Sequence, residues 1–83
     1  MESYVFPAIF TGEDKGISIE FPDLPGCLSC ADNFRQAFKR AKDVLQLHLL
    51  GMIQDDEQIP HATDIEDISL AEGEIVMLIE AQI

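Results

Sequence analysis

Two thiols and two imidazoles carry most of the latent chemistry in this chain. Cys27-Leu28-Ser29-Cys30 has the C-x-x-C spacing that serves dithiol redox centres and zinc sites. That spacing works when the backbone turns between the thiols, and here the run reads as extended chain. In a strand an odd separation sends the two side chains to opposite faces, and Cys30 precedes the following helix instead of lying in its first turn. The histidines do not complete a metal site either, since Cys30 to His48 and His48 to His61 leave gaps of 17 and 12 residues. His48 falls on the apolar stripe of a helix, where a packed or rim histidine is expected. The remaining candidates are carboxylates. Two-metal phosphodiester hydrolysis needs several of them converging on ions roughly 4 Å apart. Tyr4 to Phe10 contains no acid, and Asp43, the only acid within the helix body, falls on its polar side. No catalytic residue, metal ligand or cofactor is therefore assigned.

The charge balance favours partners of one sign. Five Lys and Arg stand against 16 Asp and Glu, a formal net charge of −11 at pH 7. Phosphate binding depends on cations that release counterions, so direct contact with nucleic acid or an anionic membrane is disfavoured and a basic protein partner is expected. Arg35, Lys39, Arg40 and Lys42 crowd onto one helix, where they read as a solvated face with Lys39 and Asp43 paired at i, i+4. After Gly51 there are nine acids and no Lys or Arg. Two cysteines cannot form a disulfide framework, Met1-Glu2-Ser3 lacks the basic start of a signal peptide, and the apolar run Ile75–Ile79 is too short to span a bilayer. These features read as a cytoplasmic protein.

Eighty-three residues give room for one small domain, taken as 1–83. Tyr4 to Phe10 is apolar on both alternating faces, as in a strand covered on both sides, and Pro7 must sit where a missing N–H costs no ladder bond. Thr11 to Gly16 reads as the turn of a hairpin, and Ile17 to Phe21 alternates at period two. Pro22-Asp23-Leu24-Pro25-Gly26 predicts a sharp bend, after which Cys27 to Ala31 returns as a third strand. Asn33 and Gln36 form a capping-box pattern, and the stripe Phe34, Ala37, Phe38, Ala41, Val44, Leu45, Leu49 and Met52 predicts a helix from Asn33 to about Ile53. Gln54 to Thr63 reads as a polar loop, Ile65 to Ile68 as a segment that pairs weakly, and Ile75 to Ile79 as the buried centre of a last strand reaching Ile83. The fold class is α+β, in the order β-β-β-α-β. One helix covers only one face of such a sheet, yet the first and last strands are apolar on both. A second copy, a further segment or a partner protein is expected on the other face, and homo-oligomerisation follows from the first of these.

Tyr4…Phe6-Pro7-Ala8-Ile9-Phe10, then Gly16-Ile17-Ser18-Ile19-Glu20-Phe21-Pro22-Asp23-Leu24-Pro25-Gly26-Cys27, then Phe34…Ala37…Ala41, resemble the N-terminal domain of HicB-family antitoxins. The resemblance implies a partial RNase H-like sheet with one helix on one face. It also implies a type II toxin-antitoxin role, in which the protein binds and neutralises a small basic HicA-like mRNA interferase without chemistry of its own. Family members usually continue into a segment that binds operator DNA; the chain stops at Ile83, so DNA binding is not expected of these residues. The bend Asp23, Leu24 and Pro25 is the candidate partner-binding element. Pro22 and Pro25 restrict it, and Asp23 is placed to accept a charge-assisted bond from a toxin cation. Replacing Asp23 and Leu24 with alanine is expected to weaken binding by about 1 to 3 kcal/mol with the fold retained. The competing reading makes the bend a structural turn. Other roles open to the chain are a degenerate RNase H-like nucleic-acid-processing protein and a self-associating structural module.

Overall fold

The computed structural model describes residues 2–83. Four antiparallel strands, β1 (Ser3–Glu13), β2 (Gly16–Glu20), β3 (Leu28–Ala31) and β4 (Glu74–Gln82), form one sheet in the order β3-β2-β1-β4. A single helix, α1 (Phe34–Gln54), lies on one face. The element order is the expected one, and the hairpin is tighter than the polar run implied. β1 continues through Thr11, Gly12 and Glu13, which leaves only Asp14 and Lys15 to turn the chain. Gly16 is required where β2 begins. Its φ is +148°, and a Cβ there would collide with the Ala31 carbonyl oxygen on β3.

The alternation of β1 supplies the core. Phe6, Ala8 and Phe10 point toward α1 and join Ile17, Ile19 and Phe21. Ala37 and Ala41 are fully buried on the helix, so their small side chains let α1 approach the sheet closely, while Leu45 and Leu49 fill the space further along. Phe38 meets Phe10 edge-on, with ring centroids 5.7 Å apart and planes at 75°. At the start of the helix the Asn33 side chain accepts the Gln36 N–H, and the Gln36 side chain reaches back to the Asp32 N–H, one residue earlier than an ideal capping box.

Register resolves the conflict over Pro7. Glu2 and Ile83 exchange both backbone bonds, and the Gly12 N–H bonds Gly73, so even-numbered residues of β1 turn their amides toward β4 and odd-numbered ones turn away from it. Pro7 therefore faces the β2 side, and β2 ends at Glu20, opposite Ile9. No ladder bond is lost there.

Two expectations change. Ile65 to Ile68 does not pair with the sheet; Ile65–Asp67 is a 3-10 turn closed by Asp67 N–H to Asp64 and Ile68 N–H to Ile65, so its polar groups are satisfied locally. β4 is also not a buried strand. It lies at the edge of the sheet, with Ile75 44% and Leu78 56% exposed and only Ile79 and Ala81 buried. The second face is partly covered by the chain itself. Pro7 and Ile9 point away from α1 yet are buried, and the segment linking Thr63, tied beside the end of β2, to Glu74, opposite Thr11, is the chain available to cover them. Its 3-10 turn packs against β4.

Candidate protein-binding site

The run Phe21-Pro22-Asp23-Leu24-Pro25-Gly26-Cys27 folds as two consecutive β-turns. The Leu24 N–H bonds the Phe21 carbonyl at 3.0 Å and the Cys27 N–H bonds the Leu24 carbonyl at 3.0 Å, each turn having proline at its second position. Gly26, with φ +87°, takes the third position of the second turn, where a type II geometry needs a positive φ. A bond from the Phe21 N–H to the Cys27 carbonyl closes the loop at its base. The period of three then decides which side chains turn inward. Phe21, Leu24 and Cys27 are 1%, 1% and 0% exposed, whereas Pro22, Pro25 and Gly26 face solvent.

This geometry redistributes the roles of the three candidate residues. Leu24 is a core residue with no surface to offer a partner, so replacing it tests packing rather than contact, and the double alanine variant cannot leave the fold untouched. Asp23 is half-buried. Its carboxylate accepts the Thr63 N–H at 2.9 Å and the Thr63 hydroxyl at 2.6 Å, which anchors the long loop to the bend. Pro25 is open.

Sequence reasoning missed the groove that these residues border. It has a volume of about 660 Å³ and runs between the bend and the C-terminal end of α1. Pro25, Leu47 and Met52 give it an apolar lining, Asp55 and Glu57 stand beside them, and no Lys or Arg contributes. Leu47, 71% exposed, was outside the apolar stripe used to predict the helix. The electrostatics here add up. The last turn of α1 has no basic residue to offset its partial negative charge, and Asp55, Asp56 and Glu57 follow immediately. In the N-terminal half of the helix, Lys39 and Asp43 pair at 2.9 Å with both side chains solvated, so that bridge contributes little.

The thiols divide as their spacing predicted. Cys27 is buried with its Sγ 3.8 Å from the Val44 carbonyl, and burial pushes its pKa up to about 11, the opposite of an activated thiolate. Cys30 is exposed and free. Among the described residues no three His, Cys, Asp or Glu side chains converge to hold a metal ion, and no helix is long and apolar enough to cross a membrane.

Residues 6–83 match the profile of the HicB-like antitoxins of bacterial toxin-antitoxin systems, and the chain belongs to that family. The family is one of antitoxins and not of enzymes. A protein of Haemophilus phage HP1, described as an uncharacterized 14.9 kDa protein in the rep-hol intergenic region, is 34% identical over 62 residues; these cover 75% of this chain and 47% of that one. The chain thus aligns with about half the length of that relative. Among solved structures, a toxin-antitoxin complex from Streptococcus pneumoniae superposes with a TM-score of 0.88 at 16% identity, over 98% of this chain and 70% of the other. A HicA3 and HicB3 toxin-antitoxin complex gives 0.76 at 22% identity, over 95% and 99% of the two chains. The N-terminal domain of the Burkholderia pseudomallei antitoxin HicB gives 0.76 at 19%, over 92% and 95%. At these identities the structures share the fold, and the four-stranded antiparallel α+β arrangement is that of HicB antitoxin domains.

Proposed function

We propose that this chain is the toxin-binding part of a type II antitoxin, which neutralises a small basic HicA-like mRNA interferase by occluding it. The observation that carries the reading is the groove at the C-terminal end of α1, apolar within, bordered by Asp55 and Glu57 and free of Lys and Arg. A cationic side chain of the toxin enters such a groove with its aliphatic stem against Leu47 and Met52 and its charge toward the acids. Asp23 and Pro25 form the near wall, with Leu24 holding them in place from the core. The net charge of −11 accelerates encounter with a basic protein, and apolar burial then slows dissociation. The reading places the protein in the cytoplasm, where mRNA is the toxin's substrate, and includes a homo-oligomeric state.

Calorimetric titration with the cognate toxin at two salt concentrations tests it. Wild-type affinity falls as salt rises, and D55N/E57Q lowers affinity roughly five- to tenfold, while the distant Glu13→Gln changes it little. No binding by the wild type sinks the antitoxin assignment for these residues. Binding that is indifferent to D55N/E57Q moves the site elsewhere.

A further inference from the structure

β4 combines three properties that rarely coincide at a sheet edge. It is nine residues long, it contains no Lys, Pro or Gly, and its outward-facing side chains include Leu78, 56% exposed. Edge strands normally carry Lys or other charges, Pro, a bulge or a cover, because an unpaired ladder is a template for another chain. Here the charge is confined to Glu74 and Glu80, and Ile75 to Ile79 between them carry none. The opposite edge, β3, is protected by being only four residues long.

The backbone bonds around β4 say what its edge is ready to accept. Its odd-numbered residues bond β1, so the amides and carbonyls of Glu74, Val76, Leu78, Glu80 and Gln82 point away from the sheet. Two of these groups are already engaged. The Glu74 N–H bonds the Ala71 carbonyl at 3.2 Å, and the Gln82 carbonyl accepts the Gln46 side-chain amide at 3.0 Å. Among the described residues the rest of the row, from the Glu74 carbonyl to the Gln82 N–H, has no backbone or side-chain partner in the fold.

We infer that β4 pairs antiparallel with β4 of a second copy, with the two-fold axis at Leu78, so that the two sheets join into one. In this register Leu78 bonds its own counterpart, Val76 exchanges bonds with Glu80 of the second copy, and the Glu74 carbonyl takes the Gln82 N–H. The only bonds that fail are the two symmetry-related ones between the Glu74 N–H of each copy and the Gln82 carbonyl of the other, and those are the groups the fold has already satisfied. Neighbouring registers do worse. With the axis at Met77, Glu74 stands opposite Glu80 of the second copy, like charges face each other, and a Glu80 carbonyl looks for the engaged Glu74 N–H. With the axis at Ile79, the position opposite Glu74 falls beyond the end of β4, so the free Glu74 carbonyl goes unpaired and the Val76 N–H must share the Gln82 carbonyl with Gln46. The Leu78 register alone leaves no free edge group unsatisfied and sets no acid opposite an acid. It places Leu78 against Leu78 and both helices on the same face of the joined sheet. A second copy carries the same engaged groups at the matching ends of its own β4, so the pairing needs nothing beyond this chain, and a second copy is the occupant. The inference gives the homo-oligomeric part of the proposed function a definite surface and does not depend on toxin binding.

The test is sedimentation of the chain over a concentration series at about 0.05 and 0.5 M salt. Two copies of charge −11 repel, so dimerisation strengthens as salt rises, opposite in sign to the toxin titration. Leu78→Glu and Leu78→Pro each weaken the dimer at least about tenfold. Proline at 78 removes an N–H that makes no bond within the chain, so thermal melting reports a folded monomer; Leu78→Glu keeps every backbone group and guards against a proline-specific fault. In a Cys30→Ser background, Leu78→Cys cross-links to its own copy under mild oxidation, because residues paired at the axis lie about 5.5 Å apart, while Val76→Cys does not. A wild type that stays monomeric at every salt overturns the inference. So does a dimer unaffected by both Leu78 variants, efficient cross-linking through Val76→Cys, or an edge whose variants disturb only toxin binding.

Discussion

The bend at Phe21–Cys27 and the strand at Glu74–Gln82 are both short, apolar and distinctive in sequence, and the fold uses them in opposite ways. The bend reads as a presented loop. It closes on itself through three backbone bonds, commits Phe21, Leu24 and Cys27 to the core, and occupies its one carboxylate with Thr63. β4 reads as a buried strand. It leaves a row of backbone groups unpaired and exposes Ile75 and Leu78. The difference teaches that a motif's rigidity and its availability are separate properties. The bend is rigid because its polar groups are satisfied internally, and for the same reason it has little left to give a partner beyond Pro25 and the groove it walls.

The largest test of this contrast compares two leucines. Leu24→Ala opens a cavity among buried side chains and is expected to cost about 2 to 5 kcal/mol in stability, whereas Leu78→Ala, at an open edge, changes the monomer's stability by no more than about 0.5 kcal/mol. Urea unfolding of both variants at a concentration where the chain is monomeric decides it; equal losses would erase the distinction between bend and edge.

A smaller effect is expected from Asp23→Ala, which frees the Thr63 N–H and hydroxyl. The cost is about 1 kcal/mol, because the site is only half-buried and water replaces part of what is lost. Hydrogen exchange at the Thr63 amide should speed up while exchange in β1 stays slow. If Asp23 instead serves the toxin directly, affinity falls more than stability does.

The two cysteines give the smallest and sharpest comparison. Cys30 should alkylate readily in the native protein and Cys27 only on unfolding. The Cys27 pKa, raised to about 11 by burial, lies above that of an unfolded thiol. Between those values the unfolded state has lost the proton that the native state keeps, so the stabilising effect is complete below the unfolded pKa and is lost as pH rises through the folded one. Cys27→Ala should flatten the decline in stability over that alkaline window; an unchanged slope would assign the decline to other groups.

Much of this protein is local and therefore legible in its sequence. The cap at Asn33, the stripe of α1, the alternation of β2 and the split of Cys27 from Cys30 follow from side-chain periods of 3.6 and 2, which depend on neighbouring residues alone. The same locality explains what was misjudged. The two turns are local and Pro22, Pro25 and Gly26 signal them, but that Leu24 is buried depends on the sheet and helix it packs against, which lie outside the bend. Ile75–Ile79 looked buried because an apolar run is the same string of residues at the centre of a sheet and at its edge. Sheet order decides between them, and that order is set when β4 pairs with β1 from the far end of the chain, leaving its other side open. The groove at the end of α1 has the same origin, since it exists only after the helix has brought Leu47 and Asp55 back to Pro25. Local chemistry determined the elements and the sign of the charge; long-range pairing decided which atoms were left to meet another molecule.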